Sequence, residues 1–189
     1  MGGSRPSNAV PSPGMSTTPP TVPPAPLDIR PATADDLPAI NDIYNHYVLH
    51  STATYQEDPE ALAGRRAWFD RHGAAHPVVV AIRGGAIVGW GSLSPYHVRS
   101  AYRRTVENSV YVRPDCQRQG IGRAVLADLV GRAREVGHHT IIAGIDAEQA
   151  ASVALHRAAG FVQAGRLRRV GFKFGRWLDV IYMQLMLGE

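Results

Sequence analysis

The sequence predicts a mixed α/β (α+β) domain with helices packed on one central sheet, and three observations carry that reading. Apolar residues recur at helical spacing up to Phe69, then alternate or run together as in strands from Val78 onward. A Gly84-Gly85 pair separates two short apolar runs, the signature of a hairpin. Beyond it, amphipathic helical segments and short β-branched runs take turns to the end of the chain.

Taken in order, Leu27-Asp28-Ile29-Arg30 alternates apolar and polar and reads as a half-buried strand. Thr33 is placed to cap a helix, with Asp36 three residues on and Leu37, Ile40, Ile43, Tyr44 and Tyr47 at helical spacing. Thr52 to Tyr55 suits a short strand or an extended loop. Asp58-Pro59 is expected to open a second helix, with Leu62, Trp68 and Phe69 on its apolar side. Strands follow at Val78–Ile82, Ala86–Leu93 and Thr105–Arg113. Gly122–Val136 is a strongly amphipathic helix, with Val125, Leu126, Leu129, Val130 and Ala133 inward and Gly137 as its stop. Thr140–Ile145 is a strand and Ala147–Ala159 a helix ending at Gly160. Phe161-Val162 and Trp177–Leu187 supply the last strands.

Composition narrows the class. With 189 residues, 44% of them apolar, the chain can bury one core. Residues 1–26 hold eight of the fourteen prolines amid Ser, Thr and Gly, and read as a disordered tail before a domain at 27–189. The single cysteine, Cys116, excludes an internal disulfide and points to a reducing compartment. No membrane-length apolar run or secretory leader is visible, so a cytoplasmic location is expected, with no membrane partner. The net charge of +4 rests on nineteen Arg and one Lys, without charge runs or interleaved aromatics, so no nucleic-acid partner is expected. His46 and His50 have metal-ligand spacing but no intervening Glu in the zincin pattern. His138 and His139 are strand neighbours facing opposite ways, so no metal is expected.

The sharpest local signal is Gln117-Arg118-Gln119-Gly120-Ile121-Gly122-Arg123, after a strand and opening a helix. Glycines there permit a tight turn and a close backbone approach. The helix start presents unpaired N–H groups and partial positive charge, a cradle for a pyrophosphate to which Arg118 and Arg123 can add contacts. The dinucleotide and P-loop fingerprints are both incomplete. A glycine-rich turn that merely caps a helix remains the alternative.

Gln117 to Gly122 resembles the pyrophosphate loop of the GNAT superfamily of acetyl-CoA-dependent N-acetyltransferases. Ser152 to Phe161, with its Leu-His-x-x-x-Gly-Phe ending, resembles that superfamily's second hallmark. Ile43 to Val48, Ser51 to Tyr55, Ala101 to Val112 and Gly171 to Val180 are similar to phosphinothricin acetyltransferases and to methionine sulfone or sulfoximine acetyltransferases. The resemblance spans most of residues 27–187. It implies a twisted, mostly antiparallel sheet flanked by helices, acetyl-CoA as co-substrate, a small amine acceptor and a homodimer.

It also assigns roles. Glu107 is the candidate base for the acceptor amine, since an α-amine is mostly protonated at neutral pH and burial raises a carboxyl toward a useful value. A salt-bridged strand glutamate is the plain alternative. His156 stands where many members carry a tyrosine acid, and an ordinary packing role for it is equally open. Val110, Tyr111 and Val112 would offer backbone groups to the cofactor arm. Gln149 replaces the family's usual Asn before Ser152, which displaces that amide by one methylene. Arg99, with Tyr102 and Tyr55, would face the acceptor's acidic group and wall its pocket. Acetylation of a protein N-terminus or an antibiotic amine, and a non-catalytic acetyl-CoA sensor, are the competing functions.

Overall fold

The computed structural model describes residues 1–3 and 25–188. The tail expected at 1–26 lies almost wholly outside the described residues. Seven strands form one sheet: β1 (Leu27–Pro31), β2 (Val78–Arg83), β3 (Ala86–Pro95), β4 (Thr105–Val112), β5 (Thr140–Asp146), β6 (Val162–Lys173) and β7 (Arg176–Met186). Their spatial order is β1-β2-β3-β4-β5-β7-β6. Every neighbouring pair is antiparallel except β4 with β5, which run parallel. The helices are α1 (Leu37–His50), α2 (Leu62–Phe69), α3 (Ile121–Val136) and α4 (Ala150–Ala158). The mixed α+β class and the mostly antiparallel sheet expected from the sequence are what the chain adopts.

The strand period of two divides the apolar residues between the sheet's faces. Val79, Ala81, Leu93, Val106 and Ile141 face α3, whose Val125, Leu126, Leu129 and Ala133 close over them. Val78, Val80 and Trp90 face the other way, against Leu37, Ile40 and Ile43 of α1. Each fully buried Leu or Val stabilises the fold by about 1.5–3 kcal/mol. Gly91 sets the distance of α3 from the sheet, because a Cβ there would lie 2.6 Å from Val125.

Three expectations need correction. Residues 58–61 are not helical, and α2 begins at Leu62. The Asn41 and Asn45 amides both donate to the Glu60 carbonyl at 2.9 Å, and Asn45 accepts from the Glu60 N–H, so α1 holds that segment extended. Leu62 is largely exposed, and Arg65 takes the inward place. Its guanidinium lies 4.2 Å from the Tyr44 ring centroid and 4.7 Å from that of Trp68, and it pairs with Glu60 at 2.6 Å. Second, α4 starts at Ala150 rather than Ala147. The Asp146 side chain and carbonyl accept from the N–H groups of Glu148 and Gln149, making a turn of the residues between. Third, a strand runs through Val162–Lys173, where only its first residue was expected. Its two register shifts and the left-handed Arg169 (φ 52°) break the alternation by which a strand is read.

Candidate active site

The parallel pair at the middle of the sheet opens. Ladder pairing joins Thr105–Glu107 of β4 to Thr140–Ile142 of β5 and stops there. Beyond it, β4 stays paired with β3 as far as Val112, and β5 with β7 as far as Asp146. Residues 108–112 and 143–146 therefore diverge, leaving strand edges that an extended, amide-bearing chain can join. The result is a cleft of about 400 Å³, lined along its walls by Asn108 to Val112, by Ala143 to Asp146 and by the starts of α3 and α4.

One end of the cleft is made of backbone. Arg118 and Gly120 both have positive φ (60° and 81°), and α3 begins directly after them. The first helical N–H with an intrahelical acceptor is that of Ala124, bonded to the Gly120 carbonyl. The N–H groups of Ile121, Gly122 and Arg123 precede it, free for an anion at the positive end of the helix dipole. Gly122 is helical, so its service is space: a Cβ would touch Leu155 at 3.4 Å and Val112 at 3.6 Å and narrow the cleft. The Tyr47 hydroxyl donates to the Val112 carbonyl (2.6 Å) and accepts from Gln117 Nε2 (2.8 Å), tying the loop to α1. Gln117, Arg118, Gly120, Arg123 and Ser152 all line this end, whereas Gln119 accepts from Arg83 outside it. Gln149 also lines the cleft, but its amide donates to Thr52 Oγ1 at 3.1 Å.

Side chains make the other end. Glu107 and Asn108 are consecutive on β4 and so lie on opposite faces of the sheet. Glu107 shares its face with Tyr111 and approaches Gly144, where a Cβ would fall 3.2 Å from its Oε1. Burial pushes its carboxyl above the ordinary glutamate range, and no ion pair offsets that among the described residues. Asn108 faces α4, where its Nδ2 donates to His156 Nε2 at 2.9 Å. His156 is 3% exposed, and its Nδ1–H donates to the Ser152 carbonyl at 2.8 Å. Burial holds the imidazole below its usual pKa, so it is neutral with its proton on Nδ1. His156 thus lines the cleft, whereas Glu107, on the opposite face of the sheet, and Tyr55 do not; Glu107 reaches only the lining residue Gly144, and it does not meet His156.

On the Glu107 face, the Tyr55 hydroxyl donates to Asp146 Oδ2 at 2.8 Å, and its ring covers Gly171, where a Cβ would fall 2.4 Å from it. Lys173, 1% exposed, donates to the carbonyls of Ser51 (2.8 Å) and Thr54 (2.7 Å), fastening the loop that presents Tyr55. Arg99 and Tyr102 sit on the exposed turn joining β3 to β4, above the Ser94–Glu107 pairing, and do not line the cleft. Tyr102 packs against the Tyr96 and His97 rings there. The sequence reading passed over Asn108, Asp146 and Tyr47. Each polar group sits within an otherwise apolar strand or helix face, and that was the available signal. The His46 and His50 rings lie tilted to each other with centroids 4.8 Å apart, and no group of three or more metal-ligating side chains is clustered among the described residues.

A splayed parallel pair with a glycine-rich helix start at its mouth defines an acyl-CoA-type acetyltransferase scaffold, and the sequence matches the acetyltransferase (GNAT) family over residues 40–161. The chain belongs to that family and is an N-acetyltransferase. It is 42% identical to the L-amino acid N-acyltransferase MnaT of Escherichia coli (strain K12), over 86% of this chain and 95% of that one. It is 41% identical to the L-methionine sulfoximine/L-methionine sulfone acetyltransferase of Salmonella typhimurium, over 86% of this chain and 96% of that one. The crystal structure of a GNAT superfamily phosphinothricin acetyltransferase from Sinorhizobium meliloti, in complex with acetyl-CoA, superposes with a TM-score of 0.84. It is 42% identical, with 86% of this chain and 89% of that one covered.

Proposed function

We propose that this enzyme transfers acetyl from acetyl-CoA to the α-amino group of a small amino-acid-like acceptor of the phosphinothricin or methionine sulfone/sulfoximine type. The observation that carries this is the cleft itself: free helix N–H groups at one end and open strand edges along its length, with a desolvated carboxyl, Glu107, behind the lining residue Gly144. The residues present fit the co-substrate. Ile121 to Arg123 would hold its diphosphate, with Gln117, Arg118, Gln149 and Ser152 beside it, and Val110 to Val112 would pair with its amide arm.

Acetyl-CoA supplies an activated acetyl carbonyl as a thioester. Glu107 takes the ammonium proton of the acceptor, a task suited to a carboxylate whose affinity for protons burial has raised. The freed amine forms the C–N bond as the thioester C–S bond breaks, and the proton that nitrogen then gives up leaves with the sulfur as the free thiol. Tyr55, braced by Asp146 and Gly171, walls the acceptor side. Arg99 and Tyr102, on the β3–β4 turn above the Ser94–Glu107 pairing, are the groups proposed to meet the acceptor's acidic end. His156 enters the site as a neutral ring. Residues 27–189 form the catalytic domain, which works as a homodimer in the cytoplasm, behind a tail at 1–26. No described helix is long and apolar enough to cross a membrane.

The test is thiol release from acetyl-CoA with a panel of phosphinothricin, methionine sulfone, methionine sulfoximine and a peptide with a free N-terminus. Release with the amino-acid analogues supports the proposal. Release with the peptide alone moves the acceptor class to protein N-termini. Tight acetyl-CoA binding with no release for any acceptor leaves a sensor.

A further inference from the structure

Asn108 is 7% exposed, and its carboxamide is only half used. Its Nδ2 donates to His156 Nε2, while Oδ1 is buried without a hydrogen-bond partner. Turning the amide over does not repair this. Nδ1 of His156 faces a carbonyl, which keeps its proton there, so Nε2 of the neutral ring is a bare acceptor and requires the N–H side of Asn108. The imidazole's hydrogen bonds go to Ser152 and Asn108, and the Phe161 ring meets it in a T-shaped contact with centroids 5.0 Å apart. A buried acceptor left open in this way is costly, and a donor entering the cleft would satisfy it. Asn108 lies on the cleft wall just where the β4–β5 ladder ends.

We propose that Asn108 Oδ1 accepts a hydrogen bond from an amide N–H of the thioester-bearing arm of acetyl-CoA, and that His156 is a positioning residue fixing the orientation of that amide. The inference rests on the acetyltransferase reading of the cleft. It removes His156 from proton transfer: both ring nitrogens are engaged, and the ring acts through Asn108.

Binding of acetyl-CoA and of ADP, which lacks the arm, is compared in the full chain by calorimetry. Asn108→Ala should weaken acetyl-CoA about tenfold, the worth of one hydrogen bond, and leave ADP unchanged. His156→Gln, which still offers Asn108 an acceptor, should recover the acetyl-CoA affinity that His156→Leu loses and leave the pH profile of kcat/KM unmoved. His156→Leu should copy the loss seen with Asn108→Ala. Equal affinities for wild type and Asn108→Ala would overturn the proposal. So would a hundredfold loss of kcat in His156→Gln with one limb of the pH profile missing, since that marks a proton-transfer residue. Should Asn108→Ala lose ADP as well, the His156→Gln pH profile decides alone. A wild-type chain that binds no acetyl-CoA sinks the enzyme reading instead, which keeps the two failures apart.

Discussion

At the end of the cleft proposed for the diphosphate, the polar groups on offer are main-chain N–H groups of one helix start. At the end proposed for the reaction they are the side chains of Asn108 and His156, with Glu107 on the opposite face of the sheet, carried by a strand and a helix far apart in sequence. The first end needs only local backbone geometry, so a few glycines specify it. The second needs tertiary placement, because adjacent residues of β4 are sent to opposite faces and meet different partners. Burial acts there on two groups in opposite directions: it raises the acid and lowers the base, leaving both closer to neutrality.

The contrast is broken most severely by Glu107→Gln. Turnover should fall by about 10²–10⁴ with the acetyl-CoA KM unchanged, measured by steady-state thiol release. The same variant should be more stable at neutral pH. A carboxyl whose folded pKa lies above its unfolded one binds more protons when folded, so stability falls as pH rises through that window. Removing the charge restores the loss, raising Tm by about 2–4 °C per kcal/mol recovered, read by calorimetry at pH 7 and at pH 4. A lower Tm at pH 7 would show that the carboxylate is not desolvated.

The backbone end answers to size. Gly122→Leu should raise the acetyl-CoA KM about 10–100-fold through overpacking against Leu155 and Val112, while kcat at saturation changes little. An equal fall in kcat would mean that the two ends are not separable. Gly171→Ala drives a methyl into the Tyr55 ring and should cost about 1–3 kcal/mol in denaturant unfolding, together with a higher acceptor KM. Tyr47→Phe loses the bonds to Val112 and Gln117, and should cost about 1 kcal/mol and a few-fold in acetyl-CoA affinity.

The same division governs what could be read from sequence. The Gln117 to Gly122 turn, the α3 face and the Gly84-Gly85 hairpin rest on local chemistry, and all were legible. The β6 strand was hidden because it is exposed on both sides and interrupted by bulges, so no alternation marks it. The extended stretch at 58–61 was misread because asparagines of α1, not local propensity, decide it. Asn108 escaped notice because its meaning comes from His156, forty-eight residues away. Family resemblance supplied Glu107 and His156 as candidates, yet it gave no hint that the sheet would separate them.

Lys173 is the single lysine of the sequence, and it is spent as a buried strut between Ser51, Thr54 and the β6 end. A protein that handles activated acetyl groups therefore presents no side-chain amine on its described surface for them to damage. Amine-directed acylating reagents should find Lys173 only after the loop bearing Tyr55 has come away, which turns its labelling rate into a direct clock for the opening of that loop.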